Sequence, residues 1–388
     1  MNRGVRLDAG DKLENRRLVV LHVIKSLFSR GGTPRKLLDL VRAMDGRRCR
    51  HIFLVFGKSQ DNLNHDFLES GAVVVEVSRP GNWDLRLVWD IRRAIRVYHV
   101  DIVCTHFARS DVYGALAGVL SGKPVIKNIH GILWNASPWL NKIDGLLSSF
   151  RACVVCNSLA SLEAAKRRGG VRNGIVIYNG VPNRAAALSQ AGVIALRASM
   201  GIPLDAFVVG HVGGLIPLRD QAVIMKALAL VAQEIPNAYL VFIGDGPLRN
   251  QLEDQVAELG IKGRVLFLGY RDDVPELLAV MDAYVNMARA EGFGIAVVEA
   301  MQAGLPVVLA NAGALPELIE EGVSGLLVPP GDSAVLARTL ARLASDRAWA
   351  AQLGDAARQR AASAFSIERY ARDFERLYTE VATRRHKG

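Results

Sequence analysis

Met281-Asp282-Ala283-Tyr284-Val285-Asn286, then Glu291-Gly292-Phe293-Gly294-Ile295-Ala296-Val297-Val298-Glu299-Ala300-Met301, then Gly304-Leu305-Pro306: this run decides how the chain is read. The first segment is short and apolar enough for a buried parallel strand. In the second, Ile295, Val298, Met301 and Gln302 recur at helical spacing, and Gly304-Leu305-Pro306 then stops the helix. Strand, glycine loop and helix together aim free backbone N–H groups at an anion. Two carboxylates eight residues apart bracket the helix start. Glu291 stands in the loop, and Glu299 lies about one turn into the helix. A carboxylate repels phosphate, so beside an anion site its use is to accept hydrogen bonds from sugar hydroxyls. A ligand with both groups fits: a nucleotide sugar. Glu291 taken alone is better explained as a glutamate near the dipole-positive end of a helix.

The same strand-loop-helix unit repeats outward from this run. Phe207–Val212 reads as a strand, followed by Gly213-Gly214-Leu215-Ile216-Pro217-Leu218-Arg219-Asp220 and a helix from about Ala222 to Ile235. The strand Ala238–Ile243 leads into Gly244-Asp245-Gly246-Pro247-Leu248-Arg249, another glycine loop that opens a helix. Val265–Leu268 and Pro306–Leu309 add strands. Upstream, Leu18–Ile24 is followed by Ser29-Arg30-Gly31-Gly32-Thr33-Pro34 and a helix from about Pro34 to Met44. Further strand-like runs lie at His51–Phe56, Val73–Val77, Asp101–Cys104, Val125–Asn128 and Ala152–Cys156. Alternation of this kind predicts α/β architecture with parallel, doubly wound sheets. At 388 residues the chain suits two such domains. The expected division is a polar tail over residues 1–16, a first domain over 17–185, a second over 186–364, and a terminal helix within 365–388. The alanine-rich stretch from Pro182 to Ala191 reads as the linker.

Composition narrows the function classes. No charge-free run reaches the eighteen or so residues of a membrane span, and residues 1–17 lack the apolar core of a signal peptide. A cytoplasmic location is therefore expected. The four cysteines read as buried thiols in a reducing compartment; Cys153 and Cys156 form a CxxC, but on an apolar strand with no second pair. Residues 1–185 carry 29 Lys and Arg against 15 Asp and Glu, and residues 186–388 carry 19 against 23, so the net +10 divides as +14 and −4. So uneven a split suggests that the first half meets an anionic surface, either nucleic acid or an anionic membrane leaflet. No RNA-binding aromatic motif or helix-turn-helix signature accompanies the basic residues. Asp84–Tyr98 places Leu85, Val88, Trp89, Ile91 and Ile95 among Arg86, Arg92, Arg93 and Arg96. A basic amphipathic helix of this kind can lie on anionic lipid, or its apolar stripe can face its own core. No Asp-x-Asp pair and no His/Cys/Asp cluster at metal spacing occurs.

The Glu291–Glu299 segment resembles the E-x7-E motif of glycosyltransferase family 4, the retaining GT-B enzymes. Gly313-Ala314-Leu315-Pro316-Glu317 and Glu321–Pro329 are similar to that family's further pattern, as are Asn157-Ser158 and Tyr178-Asn179-Gly180-Val181. The resemblance covers roughly residues 17–380. It implies two Rossmann-like domains facing across a cleft, with the terminal helix crossing back onto the first domain. It also implies transfer of a sugar from a UDP- or GDP-linked donor to a glycolipid or polysaccharide acceptor, with no metal and no separate cofactor. By this resemblance Glu291 contacts the donor sugar and Glu299 the ribose. Gly292, Phe293, Gly294 and Ile295 line the donor between them, together with Gly213, Gly246 and Arg249. Gly31 and Gly32 lie against the donor diphosphate. His130, in His130-Gly131 after a mid-domain strand, faces the transferred sugar, and His106 matches a more loosely kept position. Arg219 takes the place of the family's diphosphate-clamping lysine, whereas Gly214 stands where the family has an arginine. Arg249 or Arg289 is the expected substitute.

The sequence thus leaves three functions. One is a retaining transferase acting in the cytoplasm, peripherally on the inner face of the plasma membrane, in cell-envelope glycan and lipopolysaccharide synthesis. Another is an epimerase or isomerase of nucleotide sugars on the same fold. The last is a non-catalytic partner for an anionic surface. The sequon Asn135-Ala136-Ser137 would not meet the glycosylation machinery in a cytoplasmic chain.

Overall fold

The computed structural model describes residues 16–29, 32–57, 61–79, 84–132 and 138–384. The N-terminal tail ahead of residue 16, Gly31 and the sequon at Asn135 lie outside the described residues. The chain forms two compact units, Met1–Gly180 with Ile367–Gly388, and Val181–Ser366.

In the first unit seven strands form one sheet: β1 (Leu18–Ile24), β2 (Cys49–Val55), β3 (Val73–Glu76), β4 (Ile102–His106), β5 (Val125–Ile129), β6 (Cys153–Cys156) and β7 (Gly174–Val176). Their spatial order is β3-β2-β1-β4-β5-β6-β7, parallel throughout. In the second unit β8 (Phe207–Val212), β9 (Ala238–Ile243), β10 (Val265–Phe267), β11 (Ala283–Asn286), β12 (Val307–Ala310) and β13 (Leu326–Val328) take the order β10-β9-β8-β11-β12-β13, again all parallel. Both sheets therefore reverse direction once, between β1 and β4 and between β8 and β11. At such a switch point the loops leaving two adjacent strands diverge and open a crevice at their carboxyl ends. The strands are near-continuous Val, Ile and Leu runs because helices cover both faces. β7 and β13 were not anticipated: each is a three-residue edge strand, too short for any periodicity to register.

The tail helix Ile367–Arg384 belongs to the first unit. Ile367, Tyr370, Phe374, Leu377 and Tyr378 pack with Val20, Cys49, Ile102, Cys104 and Ile126 on one face of its sheet. All four cysteines are buried free thiols, and burial pushes the Cys156 thiol up to about 12. Helix Arg86–Val97 buries Leu87, Val88, Ile91, Ala94 and Ile95. Leu85 and Trp89 do not join that stripe; Trp89 is 59% exposed, with the Arg92 guanidinium 4.8 Å above its ring. The expected linker is partly regular, since helix Gln190–Ser199 starts within it, capped by the Ser189 hydroxyl. Among the described residues no helix is long and apolar enough to cross a membrane.

Candidate functional site

In the second unit the switch point lies between β8 and β11. Leaving β8, the chain passes Gly213 and Gly214 into a short 3-10 turn, Pro217–Arg219. Leaving β11, it passes Glu291 and enters helix Ile295–Gln302. Adjacency of the two strands brings Arg219 and Glu291 into an ion pair, and the other Glu291 oxygen accepts from the Gly292 amide at 3.0 Å. Burial lowers the pKa of the Arg219 guanidinium, which nevertheless stays charged at neutral pH. Gly294 sits at φ +102°, a left-handed conformation that favours glycine. It carries no side chain to cap the helix; the Val297 amide turns back to Gly294 O at 3.1 Å, and uncapped helix starts of this kind suit anions in general. Phe293 is buried edge-on against Phe365, 5.6 Å between centroids. Glu299 is half-buried one turn into the helix.

Gly246 belongs to the loop after β9, and no side chain fits there, because a Cβ would collide with the Leu215 backbone. That contact holds the two glycine loops together: Leu215 N donates to Asp245 O at 3.1 Å and Leu248 N to Leu215 O at 3.1 Å. Gly213 lies close to Arg219, whose Nε is 3.8 Å from where a Gly213 Cβ would stand. Beneath it His211 is fully buried, its Nδ1 2.9 Å from Val285 O, its Nε2 unpartnered, and its pKa lowered to about 4 by burial. Arg249 and Arg289 are held by carboxylates of their own. Arg289 Nε donates to Asp220 at 2.7 Å; Arg249 reaches Glu253 at 2.8 Å and Asp245 at 3.3 Å. A Cβ at Gly214 would meet only Asp245 O, at 3.7 Å.

In the first unit Gly32 opens helix Gly32–Ala43 beyond β1, and nothing lies within 4 Å of where its Cβ would be. His130 follows β5 and is half-buried. Both its ring nitrogens are engaged, Nδ1 with Lys36 Nζ at 2.9 Å and Nε2 with His106 Nδ1 at 3.0 Å. Lys36 also donates to Asn179 Oδ1 at 2.9 Å. It is only 5% exposed, and burial lowers its pKa to about 7. His106 continues to His22, and His22 to His51, each contact 3.0 Å. Sequence reasoning missed Lys36, His22 and His51. A signal existed for Lys36, since it falls on one stripe with Leu40 and Met44, both buried. None existed for the histidines, whose meeting depends on strand register. Among the described residues no group of three or more His, Cys, Asp or Glu could hold a metal ion.

Two family models match the chain: "Glycosyltransferase Family 4" over residues 30–184 and "Glycosyl transferases group 1" over residues 194–360. The D-inositol 3-phosphate glycosyltransferase of Salinispora arenicola is 34% identical over 312 residues, covering 73% of this chain and 69% of that protein. The UDP-Gal:alpha-D-GlcNAc-diphosphoundecaprenol alpha-1,3-galactosyltransferase of Escherichia coli is 25% identical over 291 residues, 68% of this chain and 73% of that one. Among solved structures, Anabaena HepE in complex with UDP-glucose superimposes with a TM-score of 0.81 at 28% identity, covering 94% of this chain and all of that one.

Proposed function

Because the chain belongs to glycosyltransferase family 4, we propose that it moves a sugar from a UDP- or GDP-linked donor to a glycolipid or polysaccharide acceptor in cell-envelope glycan synthesis. The observation that carries this reading is the Arg219–Glu291 pair at the β8–β11 switch point, beside the uncapped start of helix Ile295–Gln302. An anionic diphosphate competes with Glu291 for Arg219 and gains the helix-end amides. Glu291, released from Arg219, accepts from hydroxyls of the donor sugar, and Glu299 accepts from those of the ribose. The glycine loops carrying Gly213, Gly246, Gly292 and Gly294 let backbone approach the donor closely. Phe293 and Ile295 line it, and Arg249 stands at the loop's far side. For the first unit we assign Gly32 to the diphosphate and His130 to the transferred sugar.

The reaction we assign retains configuration. The acceptor hydroxyl forms its bond to the anomeric carbon on the face from which the diphosphate leaves. The sugar–phosphate bond breaks with its electron pair on the phosphate oxygen, which takes the acceptor's proton. Arg219 and the helix end supply the positive charge for the leaving group. The lipid-linked acceptor of the E. coli relative and the basic helix Arg86–Val97 with exposed Trp89 support a peripheral site on the inner leaflet of the plasma membrane.

A panel of UDP- and GDP-sugars tested by thermal shift examines this reading, because a ligand of the native state raises its melting temperature. Glu299→Ala is expected to weaken the shift given by free UDP or GDP, whereas Glu291→Ala leaves that shift nearly intact and lowers turnover. Equal loss of nucleotide affinity in both variants would overturn the assignment. Steady turnover of a nucleotide sugar with no acceptor present would instead favour an epimerase or isomerase.

A further inference from the structure

Four imidazoles and one lysine of the first unit form a single file through the protein. Strand register explains why they meet. His51 on β2 lies two residues short of Phe53, the partner of His22, since it pairs with Val20 on β1. His22 pairs with Cys104, two short of His106 on β4, and His106 pairs with Asn128, two short of His130 beyond β5. A step of two residues keeps the side chain on the same face, so the rings cross the sheet on one diagonal that ends at its carboxyl edge. His22, His51 and His106 are each 4% exposed or less.

Two ring nitrogens that face each other share one proton, so a neutral ring in such a file donates on one side and accepts on the other. An ammonium can only donate. Below pH 7, where Lys36 is mostly the ammonium, its place at one end sets the order of every proton. His130 accepts from Lys36 at Nδ1 and donates from Nε2 to His106. His106 donates from Nε2 to His22, and His22 from Nε2 to His51. The file stops at His51 Nε2, which has no hydrogen-bond partner. Protonating any inner ring would set two N–H groups against each other or break a contact. Burial disfavours the charged form as well, lowering the pKa values of all four rings.

We propose that Lys36 is a positioning residue for His130: its hydrogen bond to Nδ1, with the file accepting from Nε2, holds the imidazole in one orientation and one tautomer. The proposal rests on the reading that His130 faces the transferred sugar. It assigns His130 no role as acid or base, because neither nitrogen is free to exchange a proton with the substrate. Lys36 retains one further N–H beyond those given to His130 and Asn179.

Nitrogen-15 spectra of the histidine rings in the intact protein, recorded below pH 7 where Lys36 is charged, test this directly. All four buried rings of the wild type are expected in the Nε2–H form, and a folded wild type with His130 in the Nδ1–H form, or with mixed tautomers along the file, overturns the proposal. Lys36→Met is expected to change the tautomer signal of His51, four contacts away, and to lower kcat by about 10²-fold, the scale of a small misplacement at a reacting centre. KM and UDP affinity are expected to stay nearly constant. Lys36→Arg, which also only donates, is expected to restore the single tautomer and most of the turnover. A folded Lys36→Met protein with His51 signals unmoved shows that the lysine only fills space. Should that variant fail to fold, the wild-type and Lys36→Arg spectra decide the question alone. If no nucleotide sugar is turned over, the transferase reading fails while the ring spectra still decide the lock.

Discussion

The two units share a strand order and use it in different ways. Each sheet reverses at one place, between β1 and β4 or between β8 and β11, and each gathers polar residues around that place. In the second unit the polar groups sit at the rim: glycine loops, an arginine paired with a glutamate, and an open helix start. In the first unit they run inward, as a lysine and four histidines threaded through the interior. On the proposed reading the rim exchanges its internal ion pair for a ligand's charges. The threaded file has no spare acceptor and is suited to holding a shape. One topology therefore supports both a binding edge and a rigid wall, depending on which residues follow the strands.

Acid should separate the units most. The folded pKa values of His51 and His106 lie at about 4 and about 3, those of His22 and His130 well below the ordinary value, and that of His211 at about 4. A folded value below the unfolded one, near 6.5, means that unfolding takes up a proton. Stability is then fully present above about pH 6.5 and is lost as pH falls toward the folded values, at up to about 1.4 kcal/mol per unit for each ring. Four such rings belong to the first unit and one to the second. Hydrogen exchange between pH 6.5 and 4, corrected for intrinsic rates, should therefore show the first unit opening well before the second. Simultaneous opening would break the comparison.

The rim should give the next largest effect. Arg219→Met removes the cation expected to meet the leaving diphosphate, so turnover should fall by about 10²–10³-fold, as for the loss of one well-aimed charge-stabilising group. Glu291→Gln abolishes the same ion pair but leaves the guanidinium available. It should therefore retain nucleotide affinity that Arg219→Met loses. Isothermal titration with UDP and with UDP-glucose distinguishes the two, and identical losses would mean that the pair acts only as a structural clamp.

Much of this organisation was legible in the sequence, because parallel strands followed by glycine loops and helices leave both composition and period in the chain. The run from Met281 to Pro306 is the clearest instance: it becomes β11, the Glu291 loop and the helix Ile295–Gln302. What could not be read is lateral. Arg219 and Glu291 are distant in the chain and meet because β8 and β11 are neighbours. The histidine file needs strand order and a two-residue register offset at every step, and no local pattern encodes either. Which face Trp89 takes was illegible for a different reason. Its position fits an amphipathic stripe loosely, and packing against the sheet selected Leu87, Val88 and Ile91 in its place.

Charge offers a smaller contrast. Residues 1–185, nearly all of them in the first unit, carry +14 and residues 186–388 carry −4, so binding to vesicles with anionic lipid should depend on the first unit and weaken as salt is raised. Arg93→Gln and Arg96→Gln on the helix that exposes Trp89 should each cost about 1 kcal/mol of binding. Co-sedimentation at low salt measures this. Vesicle binding unaffected by both changes would move the contact to another surface.

A further expected effect concerns Gly214, where the family resemblance would place an arginine. Arg249 and Arg289 both stand near the second unit's loops, yet each is already held by carboxylates, Arg249 by Asp245 and Glu253 and Arg289 by Asp220. A guanidinium so engaged has part of its field cancelled, so neither should replace a free cation fully. The Gly214 backbone leaves room for a side chain, since a Cβ there makes only an ordinary contact with Asp245 O. An aimed donor is worth about 10²–10³-fold at best; with Asp245 competing for the new guanidinium, Gly214→Arg should raise turnover by about tenfold. Arg289→Ala should change it little, because its partner Asp220 lies outside the Arg219–Glu291 pair. Turnover of Gly214→Arg, Arg249→Ala and Arg289→Ala with one saturating donor checks the argument. No gain in the first together with a large loss in either of the others would show that one of those arginines leaves its carboxylates and completes the rim when the donor binds.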